Sequence, residues 1–378
     1  DLTSSAALFG TITAISYIPP IFLSPIGGII ADRNNRRNLM IALDSLYGIM
    51  AVLLALSLSF SSVLILITII MVGLSVISSF ETPVVQSSIP LIQEKDSLIQ
   101  SNAIISQINM LANLIGPLLA GLLYSAVGKV YLQGVRIIFL GCAICFFFAA
   151  IFETFIKIPQ TTLSPISNPL HTIKSDLTES FYFLTSKQVH VFKAILLNAA
   201  FVLLIQPLIT TGAPFIIQVV LDLSSILNGL SQAFMGASGL IGGIIAGVIA
   251  NKFKTDKIYW LFWIMGMSIA AFGSSLLFNL TTNLIYIIFV ITGIIIFISA
   301  SIAGIFIMTA IQQNVPYDML GRIMSFYTTI VSTALPIGTL FYGYLYEKFI
   351  NHLSVIIFST SIAILVVGYI SKKTYRYL

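Results

Sequence analysis

Residues 24–37 read SPIGGIIADRNNRR, and this short polar break between two apolar runs decides the fold. One run, 6–31, ends here and another, 39–60, begins. Gly28 has no side chain to hold a neighbouring helix away. Asp32 closes its helix at the lipid boundary, where a carboxylate can meet the partly positive N-terminus of another helix. Arg33, Arg36 and Arg37 follow within five residues, placed to pair with carboxylates such as Glu94 or Asp96. The spacing predicts a latch between helix ends.

Outward from this break the same alternation continues. The further apolar segments are 63–80, 98–126, 134–156, 191–221, 225–250, 258–279, 284–310, 323–346 and 353–371, which makes eleven, eight of them free of Asp, Glu, Lys and Arg. About 20 apolar residues in a helix cross a hydrocarbon core of ~30 Å. The chain of 378 residues is 58% hydrophobic and 8% charged, against roughly 25% charged in a soluble domain. So few charges cannot coat a water-facing surface of this size. The pattern is not the alternation of a membrane barrel, so the segments are helices and the chain is an all-α membrane protein.

The net charge of +5 suggests nucleic acid until its distribution is drawn. With the segments as alternating crossings, 15 of the 18 Lys and Arg residues fall on one side. That bias makes the side cytoplasmic, with the C-terminus on it, and removes nucleic acid as the expected partner. Cys142 and Cys145 form a C-x-x-C inside segment 134–156, without the polar, accessible setting that redox and zinc chemistry need. His171, His190 and His352 stand isolated in loops. No metal or cofactor is expected.

A shift of 219 residues carries Gly28 to Gly247, Asp32 to Asn251, Arg33 to Lys252 and, in a different helix, Pro117 to Pro336. One shift serving distant anchors reads as a tandem duplication. Segment 191–221 would open the second half, and its counterpart would precede Asp1. The expectation is therefore a parent of six plus six helices, with eleven present here and the first missing. The organisation expected is a helical bundle over 1–156, a cytoplasmic linker over 157–190 and a second bundle over 191–378. Within the linker Ile173, Leu177, Phe181 and Leu184 recur at helical spacing, as in a short helix on the membrane surface.

The stretch from Gly28 to Arg37 resembles motif A of the major facilitator superfamily. Asn35 stands where the family usually has Gly, and Asn tolerates a left-handed turn nearly as Gly does. Ala112 to Gly121, with Gly116, Pro117 and Gly121, looks like motif C of the antiporter branch, with Ala at two glycine positions. Pro316, Gly321 and Arg322 resemble the turn before the eleventh helix of the macrolide and siderophore efflux subgroup. That subgroup tends to carry Arg where Tyr47 and Glu81 stand here. The resemblance implies a major facilitator fold of two pseudo-symmetric six-helix bundles. It also implies a multi-pass transporter of the cell membrane, with motif A as gate and Gly247, Asn251 and Lys252 as its second-half counterpart.

An ionisable group in hydrocarbon asks for a reason. Asp44 is the only one well inside a segment, and Glu81 follows helix 63–80 directly; both are candidates for proton coupling. Asp44 is equally placed to pair with Arg36 or Arg37. The resemblance makes 63–80, 191–221 and 284–310 cavity helices. Their polar residues include Ser75, Ser78, Asn198, Gln206, Thr210, Ser299 and Thr309, and segment 98–126 adds Gln107, Asn109 and Asn113. Uncharged amides and hydroxyls suit a lipophilic or amphipathic small molecule; each also serves as an ordinary interhelical hydrogen bond. The expected function is drug- or macrolide-like export by a monomer, with protons as the coupling ion. Uptake by symport and a scaffold without transport are the alternatives. A membrane enzyme would need convergent reactive groups inside the bilayer, which the sequence does not supply.

Overall fold

Two polar breaks set helix ends with local chemistry. Asn35 caps the helix that follows it, accepting a hydrogen bond from the Asn38 backbone N–H at 3.2 Å. Its backbone is extended, with φ −68° and ψ 108°, so Asn35 serves as an N-cap and the left-handed turn expected at this position does not form. Pro169 is the first described residue of another helix, and a first turn tolerates proline because its missing N–H costs nothing there.

The computed structural model describes residues 18–59, 63–94, 97–126, 131–159, 169–250, 252–278, 280–349 and 352–376. Among them run α1 (Ile18–Arg33), α2 (Arg36–Ser57), α3 (Val63–Ile92), α4 (Leu98–Ala126), α5 (Tyr131–Glu153) and α6 (Pro169–Tyr182). Then come α7 (Val189–Thr210), α8 (Ser225–Ile249), α9 (Ile258–Ser275), α10 (Thr282–Asn314), α11 (Leu320–Lys348) and α12 (Leu353–Tyr375). Short turns over Gly212–Pro214 and Phe215–Val220 extend α7. The fold is all-α, and nine helices among the described residues are long and apolar enough to cross a membrane. Helix α3 runs twelve residues past the end of segment 63–80, through Pro83 and Pro90. Glu81 therefore lies inside a helix rather than just after one. Proline within a membrane helix is tolerated because neighbours re-satisfy the freed carbonyls.

The chain divides into two compact units. One holds residues 1–94, 115–183 and 315–329, the other 95–114, 184–314 and 330–378, so α4 and α11 each contribute to both. In the first unit α1 packs on α3 and α2 on α5, around Ala31, Leu43, Ile77 and Val84. In the second, α8 packs on α10 and α9 on α12, with Tyr342, Tyr346, Leu353 and Ile356 forming one core cluster.

One contact of these pairings recurs at equivalent positions. A Cβ at Gly48 of α2 would meet the Phe147 ring of α5 at 2.9 Å, and one at Gly266 of α9 would meet Leu365 of α12 at 2.7 Å. Both members of the second pair lie 218 residues beyond those of the first. Outward faces are apolar: on α5, Ile144, Phe148 and Phe152 are exposed beside free, exposed Cys142 and Cys145. Such a surface is stable only against lipid.

At the α8–α10 crossing a Cβ on Gly242 would lie 2.6 Å from the Ile298 carbonyl oxygen, which is backbone and cannot swing aside. Among the described residues, a Cβ on Gly116 of α4 would meet nothing within 4 Å. Gly242→Val is expected to cost about 1–3 kcal/mol through overpacking and to lower the melting temperature of the detergent-solubilised protein. Gly116→Ala is expected to leave it unchanged. Equal melting of the two variants would show that the crossing has slack.

Candidate functional site

Four glycine and arginine positions build the first site around one carboxyl. Gly28 and Gly321 lie face to face: a Cβ on Gly28 would collide with the Gly321 backbone, and one on Gly321 would lie 2.6 Å from Asp32 Oδ1. That approach brings the end of α1 onto the start of α11. Asp32, fully buried, accepts hydrogen bonds from the Gly321 N–H at 2.7 Å and the Arg322 N–H at 2.9 Å. The first N–H groups of a helix have no partner of their own, so Asp32 caps α11 from another helix. Pro316 accepts from the Met319 N–H at 3.0 Å in the turn that leads into α11.

The arginines complete the cluster. Arg36, 3% exposed, reaches back one turn to Asp32 Oδ1 at 2.7 Å. Arg322 Nε stands 3.5 Å from Asp32 Oδ2. Arg33 grips Asp176 of α6 through two bonds, at 2.6 and 2.8 Å. Arg322 also pairs with Asp176 at 3.4 Å and with Glu179, itself 60% exposed, at 3.0 Å. Asp32 and Arg33 lie beyond the apolar run 6–31. Burial pushes the Asp32 carboxyl up to about 6, against the lowering pull of Arg36 and the two backbone N–H groups. The hydrogen bond to Asp176 raises the Arg33 guanidinium above its ordinary value. Arg37 enters none of these pairs, and Asp96 lies outside the described residues.

A second cluster sits within the membrane helices of the same unit. Asp44 of α2, Glu81 of α3 and Glu153 of α5 are close enough for their charges to act on one another. The Tyr47 hydroxyl, one turn beyond Asp44, bonds to Glu81 and Ser78, and its ring stacks on Phe146 at 5.0 Å. Asp44 is 8% exposed and Glu153 Oε2 is buried without a hydrogen-bond partner. None of the ion pairs among the described residues includes any of the three carboxyls. Arg36 is committed to Asp32, so the pairing of Asp44 with Arg36 considered above does not occur.

Of the uncharged candidates in the second unit, Asn198, Ser299 and Thr309 are buried, Gln107 half-buried, and Asn109, Gln206 and Thr210 exposed. Thr309 accepts a bond from Asn102 Nδ2 at 2.9 Å, and the same amide donates to Gln312 at 2.6 Å. In the first unit Ser75 and Ser78 are half-buried. The side chains of Asn113, Pro117 and Gly121 lie outside the described residues, as does Asn251. Lys252 is exposed, and among the described residues a Cβ on Gly247 would meet only Ala103, at 3.7 Å. Among the described residues, no group of His, Cys, Asp and Glu is arranged to hold a metal ion.

The family model of the Major Facilitator Superfamily matches residues 1–339. The chain belongs to this superfamily. No curated protein sequence matches it. Among solved structures, a bacterial homologue of the iron transporter ferroportin, in its outward-facing state, superposes with TM-score 0.77 at 14% identity, over 99% of this chain and 92% of that one. The E. coli fucose:proton symporter FucP gives 0.77 at 12% identity, over 97% and 90%. The proton:xylose symporter XylE gives 0.74 at 12% identity, over 98% and 86%. At such identities the likeness establishes the fold. This superfamily member is a multi-pass membrane transporter.

Asp176, Glu179, Asn102, Gln312 and Glu153 are the structural participants that sequence reading did not place among candidate sites. Asp176 had a signal, as one of the few acids in the linker, three residues from Glu179 on a helical stripe. Removing Asp32 in this transporter leaves Arg36 buried without its counter-ion. Asp32→Ala is expected to cost about 3–5 kcal/mol. Glu179→Ala removes an exposed partner and is expected to cost under about 1 kcal/mol. Thermal melts of both variants check the ranking; equal losses would deny Asp32 its central place.

Proposed function

We propose that this transporter exports lipophilic or amphipathic small molecules of drug or macrolide kind, by alternating access and in exchange for protons. The observation that carries the reading is the group Asp44, Glu81 and Glu153. A carboxylate within hydrocarbon is costly, and one without a cation partner is neutralised by a proton or another cation. Three such groups on three packed helices form a place where protons bind and leave as access alternates. The Tyr47 hydroxyl bonded to Glu81 extends that polar path by one group.

Motif A supplies the gate in this scheme. The Asp32 bonds join α1 to the first turn of α11, and Arg33 and Arg322 tie both to α6. These bonds form as a set or break as a set, which suits a two-state element. The uncharged Asn198, Ser299 and Thr309 suit a substrate without fixed charge. The location is the cell membrane and the working form a monomer.

Uptake in symport with protons is the rival direction, favoured by Glu81 lying inside α3, a helix that the family resemblance makes a cavity wall. The test is transport in proteoliposomes with a pH-sensitive dye inside, together with efflux of a lipophilic dye or macrolide from drug-hypersensitive cells. Export coupled to opposite proton movement, abolished by protonophore and by Asp44→Asn with Glu81→Gln, is the expected result. Protons moving with the substrate would establish symport instead. Unchanged coupling in the double variant would remove these carboxyls from the mechanism.

A further inference from the structure

Sequence distribution places Lys and Arg residues at helix ends on one side of the membrane, and in the second unit four of them, together with His190, converge on a single cavity. His190 and Lys193 come from the first turns of α7, and Lys372, Lys373 and Arg376 from the last turn and C-cap of α12. With Tyr369, Ile370 and Thr374 they line a cavity of about 630 Å³. None of the ion pairs among the described residues includes Lys193, Lys372, Lys373 or Arg376. Among the described elements packed on α12, α7 and α9 carry no carboxylate and the turn Thr255–Lys257 carries Asp256, beside Lys257; α11 carries Glu347, one residue beyond Tyr346, which packs against Leu353 and Ile356 at the other end of α12. Lys372 is held over the Tyr259 ring at 5.2 Å, which fixes its ammonium at the rim.

Ordinary solvated helix ends account for scattered lysines, since cations near a helix C-terminus complement its dipole. They do not account for cations from two helices facing one cavity without an anion between them. The uncapped start of α7 adds its own partial positive charge to the same place. One turn toward the membrane, Tyr369 is 72% exposed and Ile370 48% exposed, so the cavity has a charged rim and an outward apolar wall. A tyrosine at that depth is an interface residue. Phosphate chemistry meets the rim and an acyl chain meets the wall.

We propose that this cavity binds the phosphate headgroup of an anionic phospholipid, with its chain laid along Tyr369 and Ile370. The lipid neutralises the crowded cations and ties α7 to α12. Basic clusters just outside the membrane helices recognise such lipids by this means. The site is separate from the motif A cluster and from the intramembrane carboxyls.

The test uses the purified chain in detergent with phosphatidylglycerol, phosphatidylcholine or inorganic phosphate, read by native mass spectrometry and thermal melting. Phosphatidylglycerol is expected to bind as one retained lipid, to raise the melting temperature, and to weaken with added salt. Lys193→Gln with Lys372→Gln and Lys373→Gln is expected to weaken it by about 100-fold. Lys252→Gln with Lys254→Gln and Lys257→Gln, removing the same charge elsewhere, is expected to leave one lipid retained. Equal retention of phosphatidylcholine, or undiminished phosphatidylglycerol in the first variant, would overturn the proposal. Equal stabilisation by inorganic phosphate would replace the lipid with a soluble anion. If the first variant melts well below the native protein without lipid, Arg376→Gln alone decides, since full retention there also overturns the site.

Discussion

The Asp32 carboxyl, fully buried between two backbone amides of α11 and the Arg36 guanidinium, is the constraint on which the described architecture of the first unit depends. Two glycines make it possible. Without Gly28 and Gly321 the helices stand too far apart for a side chain as short as aspartate to reach the Gly321 and Arg322 amides. Packing and electrostatics are thus one device: close approach strengthens the bonds by excluding water, and the bonds hold the approach. Arg33 and Arg322 extend the device to α6, so a linker helix between the two halves of the chain is held by the same cluster.

The duplication carries the packing but not this chemistry. α1 on α3 and α2 on α5 recur as α8 on α10 and α9 on α12, down to the Gly48–Phe147 and Gly266–Leu365 contacts. At the counterpart of Asp32 stands Asn251, followed by Lys252 where Arg33 stands. An amide accepts through one oxygen and carries no charge, so it cannot meet two amides and a guanidinium as a carboxylate does. The sequence at this place therefore keeps the repeat's spacing without the carboxylate on which the Asp32 cluster is built.

Helix number and spacing were legible because hydrocarbon thickness writes itself into runs of about 20 apolar residues. Each of the eleven segments is helical over its described residues, segment 6–31 from Ile18 onward. The end of α3 was not legible, because Glu81, Pro83 and Pro90 are breakers in water but continue a helix among protein neighbours. The motif A residues were legible as a set, while their partners were not: nothing in the spacing of Asp32 points 289 residues ahead to Gly321. Asn35 misled through a statistical habit of asparagine; its short side chain found the Asn38 amide and capped a helix instead. Glu153 stands near the end of segment 134–156, where the sequence alone gives it no partner. Its grouping with Asp44 and Glu81 arises only when α5 packs on α2 and α2 on α3.

That grouping ties the departures from the family pattern into one account. Where the efflux subgroup tends to carry two arginines, this chain has Tyr47 and Glu81. Each change removes a positive charge from the region of Asp44, and the second adds a negative one. An arginine at either place would give Asp44 a cation to pair with. With tyrosine and glutamate there, Asp44 enters no ion pair among the described residues, and under the proposed proton exchange its charge is balanced by the proton it takes up. A phenol in that position donates a hydrogen bond to a carboxylate without neutralising it, so the site keeps its demand for a cation while gaining a defined geometry. The substitutions that weaken the resemblance to the efflux subgroup are thus the ones on which the proposed proton exchange rests.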